Sequence, residues 1–206
     1  MSKSEKSAAK VMFVCQECGR ESAKWLGRCP DCQQWNTFVE MTVKTSPSTS
    51  RPLSRLSPPR ELSQVVTADA DRSPLPLPEF NRVLGGGLVA GSLVLISGDP
   101  GIGKSTLLLQ ASAAMADEHR RVVYVTGEET VHQIKLRAER LNLDGAGLFI
   151  MAETDLETVL EQAEQVGPGL VVIDSIQTAY YAGMESAAGS IGQVRECTMR
   201  LMQWAK

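Results

Sequence analysis

An α/β fold, with a parallel sheet covered by helices and a small cysteine-held unit in front of it, is what this 206-residue sequence predicts. Three observations predict it. Short apolar runs alternate with helix-period segments from about Phe80 onward. The stretch GDPGIGKS at 98–105 joins one such run to one such segment, and two C-x-x-C pairs lie between Cys15 and Cys32. The composition is 43% hydrophobic, 22% charged and 5% aromatic, which excludes collagen-like, wholly disordered and disulfide-scaffold classes. No run approaches the ~18 apolar residues of a membrane span. The N-terminal lysines Lys3, Lys6 and Lys10 precede only the apolar piece VMFV, too short for a secretory signal. The chain is therefore expected in the cytoplasm, where thiols stay reduced.

The elements follow in chain order. The first is the cysteine segment, taken as a domain over 11–40. Cys15 and Cys18 form one pair, Cys29 and Cys32 the other, with ten residues between the pairs. This spacing matches a closed, structural four-thiolate zinc site; iron–sulfur ligation is the alternative. Two residues between cysteines let a tight turn aim both sulfurs at one ion, and Gly19 suits the turn after Cys18. So short a segment buries little core, so metal binding is expected to supply much of its folding free energy. Trp25 and Trp35 flank the second pair. They are expected to pack as the core of this unit; the alternative is stacking on an exposed base, with Lys24 and Arg28 on phosphates. Cys197 has no partner pair and is expected to pack on the last helix.

Residues 41–78 hold seven of the ten prolines and seven serines, and read as a linker with a short ordered piece at 62–67. The first 60 residues carry ten Lys and Arg against five Asp and Glu, whereas the rest carry eleven against nineteen. A basic front of this size either favours nucleic acid or is a solvated head.

The core is expected over 79–206. Strands are predicted at 93–97 (LVLIS, buried), Val122–Thr126, 148–151 and Leu170–Asp174, with helices from Lys104, over 130–141, 155–165 and 191–204. Fully apolar strands alternating with helices imply a parallel sheet. Residues 98–105 fit G-x-x-x-x-G-K-[ST], a loop whose backbone amides cradle phosphates at a helix N-terminus. Gly98, Gly101 and Gly103 are expected to supply unusual φ values, with Asp99, Pro100 and Ile102 between them and Thr106 following. Lys104 is placed on the β- and γ-phosphates and Ser105 on Mg²⁺. Asp174, ending an apolar strand, is the second Mg²⁺ ligand, directly or through water. Glu128 and Glu129 follow strand Val122–Thr126 on the same sheet edge, where a carboxylate can activate water; Glu128 is favoured as nearer the strand end. Both acids are alternatively helix caps.

In combination, the cysteine pairs, RVLGGG at 82–87, GDPGIGKSTLLLQ at 98–110, YVTGEE at 124–129 and VIDSIQT at 172–178 resemble the bacterial RadA (Sms) family of RecA-like DNA repair ATPases. The resemblance runs from Cys15 to about Arg200. It implies a RecA-like core, ATP with Mg²⁺, a hexameric ring on single-stranded DNA, branch migration at recombination intermediates, and a RecA-type recombinase as partner. It matches Glu128 to the water-activating glutamate, and places 189–196 near nucleotide and subunit contacts. The resemblance also implies a longer chain. A further strand should stand between the phosphate-loop strand and the Asp174 strand, followed by a lysine–asparagine–arginine motif and a Lon-protease-like domain. A fragment is therefore expected, with the Asp174 strand lacking one neighbour. The competing expectation is a non-hydrolysing regulatory module that binds nucleotide and DNA. A RecA-like ATPase of replicative-helicase type, unrelated to repair, is a third, which the cysteine unit argues against.

Overall fold

The computed structural model describes residues 10–43, 61–64 and 72–206. The chain forms two compact units. Most of the expected linker, at 44–60 and 65–71, lies outside the described residues, as do residues 65–67 of its expected ordered piece. Leu62–Gln64 form a single 3₁₀ turn.

The small unit is an antiparallel sheet of β1 (Lys10–Cys15), β2 (Glu21–Ser22) and β3 (Phe38–Val43), in the order β2-β1-β3. Cys15 ends β1 opposite Phe38, and a single bridge joins Arg28 to Trp35 in the second knuckle. Among its described side chains Cys15, Cys29 and Phe38 are buried, with Phe13, Leu26 and Cys32 packed around them. Trp25 and Trp35 are not that core. They are 52% and 68% exposed.

The large unit opens with a short ribbon, β4 (Arg72–Ser73) against β5 (Leu88–Val89), enclosing α1 (Pro78–Val83). Pro78 occupies the first turn of α1, where its missing N–H costs nothing. Leu75, in the proline-rich entry, is buried against Ala111, Met115 and Val122. The parallel sheet follows: β6 (Val122–Thr126), β7 (Leu148–Ala152) and β8 (Leu170–Asp174), in the order β7-β6-β8. The helices are α2 (Lys104–Met115), α3 (Val131–Arg140), α4 (Leu156–Val166) and α5 (Ile191–Ala205).

Alternation along the central strand assigns the faces. Tyr124 packs with Leu109 of α2, Ile134 of α3 and Val172 of β8. Val123 and Val125 pack on the other face with Val159 of α4. Helix starts are set by local chemistry. Thr130 and Gln133 form a reciprocal capping box on α3, Asp155 caps α4, and Ser190 caps α5. No helix among the described residues is long and apolar enough to cross a membrane.

One expected strand is absent. Residues 93–97 form no ladder, and Leu93, Val94 and Leu95 are exposed, Leu95 to 78%. An apolar run becomes a strand only when a neighbour takes its backbone hydrogen bonds, and none of the described strands pairs with it. Among the described strands β8 correspondingly pairs with β6 alone, as expected for the Asp174 strand.

Candidate functional site: a phosphate loop facing a carboxylate edge, and a four-sulfur knuckle

The four sulfurs of Cys15, Cys18, Cys29 and Cys32 lie within 4.8 Å of one another. Two turns of one design bring them there. In the first, the Cys15 N–H donates to the Arg20 carbonyl and the Gly19 N–H to the Cys15 carbonyl, both at 2.9 Å. In the second, the Cys29 N–H donates to Gln34 and the Gln33 N–H to Cys29, again at 2.9 Å. The residue after each second cysteine adopts a left-handed conformation, Gly19 at φ 74° and Gln33 at φ 61°. Across the site Cys15 lies 3.6 Å from Cys32, and Cys18 lies 3.5 Å from Cys29. Arg20 and Asp31 pair on the outside.

The electrostatics fit a cation. Burial opposes ionisation of Cys15, but the Thr37 hydroxyl and the Cys18 and Glu17 amides outweigh it and bring the thiol down to about 6. At Cys32 the Gln34 amide favours the thiolate, yet desolvation and the neighbouring sulfurs outweigh it and push the thiol up to about 12. Four thiolates this close need a positive ion between them.

In the large unit, α2 begins directly at the loop 98–105. Gly101 and Gly103 take φ values of 78° and 102°, which other residues rarely adopt, and Gly103 is the residue that turns the chain into α2. Gly98 has no such φ, contrary to expectation; its place in the motif is not a matter of backbone angle. The Lys104 ammonium folds back on the loop, donating to the carbonyls of Gly98 at 2.8 Å and Asp99 at 2.9 Å. The Ser105 hydroxyl donates to Asp174 Oδ1 at 3.1 Å, so the two expected Mg²⁺ ligands meet across 69 residues of sequence.

Both acids after β6 lie at this edge, and they differ. Glu129 accepts from Arg137 Nη2 through both oxygens, at 2.6 and 2.7 Å. Glu128 is left at the edge, accepting from the Ser175 hydroxyl at 3.2 Å, next to Asp174. Neither acid caps α3; Thr130 does. Gly127 permits this closeness, since a Cβ there would lie 2.0 Å from Thr178 Oγ1. Sequence reasoning did not single out Arg137, Ser175 or Tyr124, whose phenol donates to Asp174 Oδ2. Asp99, Pro100, Ile102 and Thr106 stand in or beside the loop as read, with Ile102 exposed at its tip. Cys197 is buried on α5 with Leu156, Ala179 and Leu201.

A glycine-rich loop feeding a helix, with its serine on a strand-end aspartate, defines a P-loop core of RecA-like type. Comparison with known families sharpens this. Residues 57–206 match the model of the AAA domain, and the chain belongs to that family. Residues 13–40 match the rubredoxin metal binding domain, in line with the four-sulfur ribbon. The chain is 48% identical over 202 residues to DNA repair protein RadA of Bacillus subtilis (strain 168), covering 96% of this chain and 44% of that protein. It is 51% identical over 203 residues to DNA repair protein RadA of Listeria monocytogenes, covering 98% and 44%. Against the same-named protein of Chlamydia trachomatis identity is 46% over 197 residues, covering 96% and 43%. The chain thus spans less than half the length of the curated relatives it matches.

Proposed function

We propose that this chain carries the zinc ribbon and nucleotide site of a DNA-dependent ATPase of recombinational DNA repair. ATP hydrolysis drives branch migration at recombination intermediates on single-stranded or branched DNA. The chain works in the cytoplasm as a homo-oligomeric ring, beside a RecA-type recombinase. Its parts are a zinc-binding domain at 11–40, a linker at 41–78 and the ATPase core from 79 to 206. The observation that carries the reading is the meeting of Ser105 with Asp174 at 3.1 Å, beside Glu128, in a chain about half identical to RadA proteins.

The residues divide the work. Backbone N–H groups of the loop, from Gly101 to Thr106 at the positive end of α2, bind the phosphates. Lys104 exchanges the Gly98 and Asp99 carbonyls for phosphate oxygens. Ser105 and Asp174 would hold Mg²⁺, which would supply positive charge to the phosphates. Glu128 takes a proton from the attacking water, while Glu129 stays tied to Arg137. Cys15, Cys18, Cys29 and Cys32 would hold Zn²⁺, which would tie the two turns of the ribbon together.

The test is ATP turnover with and without single-stranded DNA. Turnover is expected to rise on adding DNA and to vanish in Lys104→Ala. Glu128→Gln is expected to keep nucleotide bound while losing about 10²–10⁴-fold in turnover. Unchanged turnover in Lys104→Ala sinks the site. A second reading, a non-hydrolysing module that binds nucleotide and DNA, is favoured by one observation: residues 93–97, which feed the phosphate loop, have no paired neighbour. Retained binding without turnover in the unmodified chain selects that reading.

A further inference from the structure

We propose that Tyr124 is a positioning residue for the Asp174 carboxylate, holding it turned toward Ser105 so that the two Mg²⁺ ligands stand together before the ion arrives. The inference rests on the nucleotide-site reading above and deepens it.

Register brings the two residues within reach. In the parallel ladder Tyr124 lies opposite Val172 and Thr126 opposite Asp174. Tyr124 and Asp174 therefore sit diagonally on one face of adjacent strands, a separation an aromatic side chain can bridge. The two carboxylate oxygens are divided between two partners. Oδ2 accepts from the Tyr124 phenol, and Oδ1 accepts from the Ser105 hydroxyl at 3.1 Å. The phenol oxygen also lies 3.5 Å from the Ser105 backbone carbonyl, so one hydroxyl touches both sides of the site.

The residue type is otherwise hard to explain. Tyr124 is fully buried among Leu109, Ile134 and Val172, a setting that suits phenylalanine or valine. A buried hydroxyl is tolerated when it has a partner, and here the partner is the strand-end acid. A carboxylate with one oxygen already engaged has fewer rotamers to lose when it meets a cation, which is how a neighbouring hydrogen bond raises metal affinity.

Tyr124→Phe removes the hydroxyl and keeps the ring, so the core stays filled. The measurement is equilibrium binding of a fluorescent ATP analogue to the full chain, once in excess Mg²⁺ and once in EDTA. The wild type is expected to bind more tightly with Mg²⁺. Tyr124→Phe is expected to lose about tenfold of that Mg²⁺-dependent gain, the scale of one hydrogen bond to a charged group, with affinity in EDTA unchanged. Asp174→Asn should lose the gain altogether. A merely structural role for Tyr124 weakens binding equally in both conditions, and that result overturns the proposal. So does a variant whose Mg²⁺ gain equals that of the wild type. A wild-type chain with no nucleotide binding in either condition overturns the nucleotide-site reading and this inference with it.

Discussion

The ribbon and the α/β unit reach stability by opposite means. Among the described side chains of the ribbon, Cys15, Cys29 and Phe38 are buried, and the sulfurs that help form this core also form the site. In the α/β unit Val122, Val123, Tyr124 and Val125 are buried from both faces, and the site residues stand at the rim of that core, at the end of β8, just after β6 and at the start of α2. Structure and site are one object in the first unit and separable in the second. The difference teaches where damage should spread: a lost ligand should unfold the ribbon, whereas a lost catalytic group should leave the sheet standing.

The largest effect expected is metal loss. A structural zinc site contributes about 10–16 kcal/mol of apparent binding free energy. Cys29→Ser, or a strong chelator, should therefore release the ion and open residues 10–43 while the α/β unit keeps its fold. Elemental analysis with limited proteolysis checks this, and a ribbon that stays protected without metal breaks the comparison. Next comes Leu109→Ala, which empties space beside Tyr124, Ile134 and Val172. It should cost about 2–5 kcal/mol in denaturant unfolding of the α/β unit, with zinc content unchanged. Glu129→Gln is expected to cost about 1–3 kcal/mol, because Arg137 loses its carboxylate in a largely buried place. Turnover should survive it; if Glu129→Gln is dead and Glu128→Gln active, the two acids exchange roles. Smallest is Trp35→Ala. The ring is 68% exposed, with the Arg28 guanidinium 5.7 Å from its centroid, and its removal should change ribbon stability by no more than about 0.5 kcal/mol.

How much of this was legible in the sequence follows the same division. Spacing alone marked the four cysteines, because ligand geometry is local to each C-x-x-C turn. Periodicity placed β6 and β8 at their observed bounds, since both are unbroken apolar runs, although only β6 is buried along its whole length. The signal misled at residues 93–97, where the run is apolar but pairing depends on a neighbour that sequence alone does not supply. It misled again at Trp25 and Trp35, read as core by hydrophobicity although both stand half or more exposed. The pair Tyr124 and Asp174 was missed, yet the clue existed: two strands in parallel register, one reading Y-x-T and the other V-x-D, put a hydroxyl and an acid on one face. Arg137 was out of reach, because its partner Glu129 lies beyond the cap of α3, outside helical spacing rules. The choice of Glu128 over Glu129 rested on distance from the strand end; the geometry adds that Glu129 is already engaged.

The equivalent turns of the ribbon set an order of chemical attack. In each turn the first cysteine, Cys15 or Cys29, is buried, while the second faces outward, Cys18 exposed and Cys32 half-buried. An oxidant, an alkylating reagent or a competing chelator approaching from water meets Cys18 first. The inner pair becomes available after a turn has opened. Graded alkylation should then label the four sulfurs in sequence rather than at random, with Cys18 leading and Cys15 and Cys29 modified together at the end.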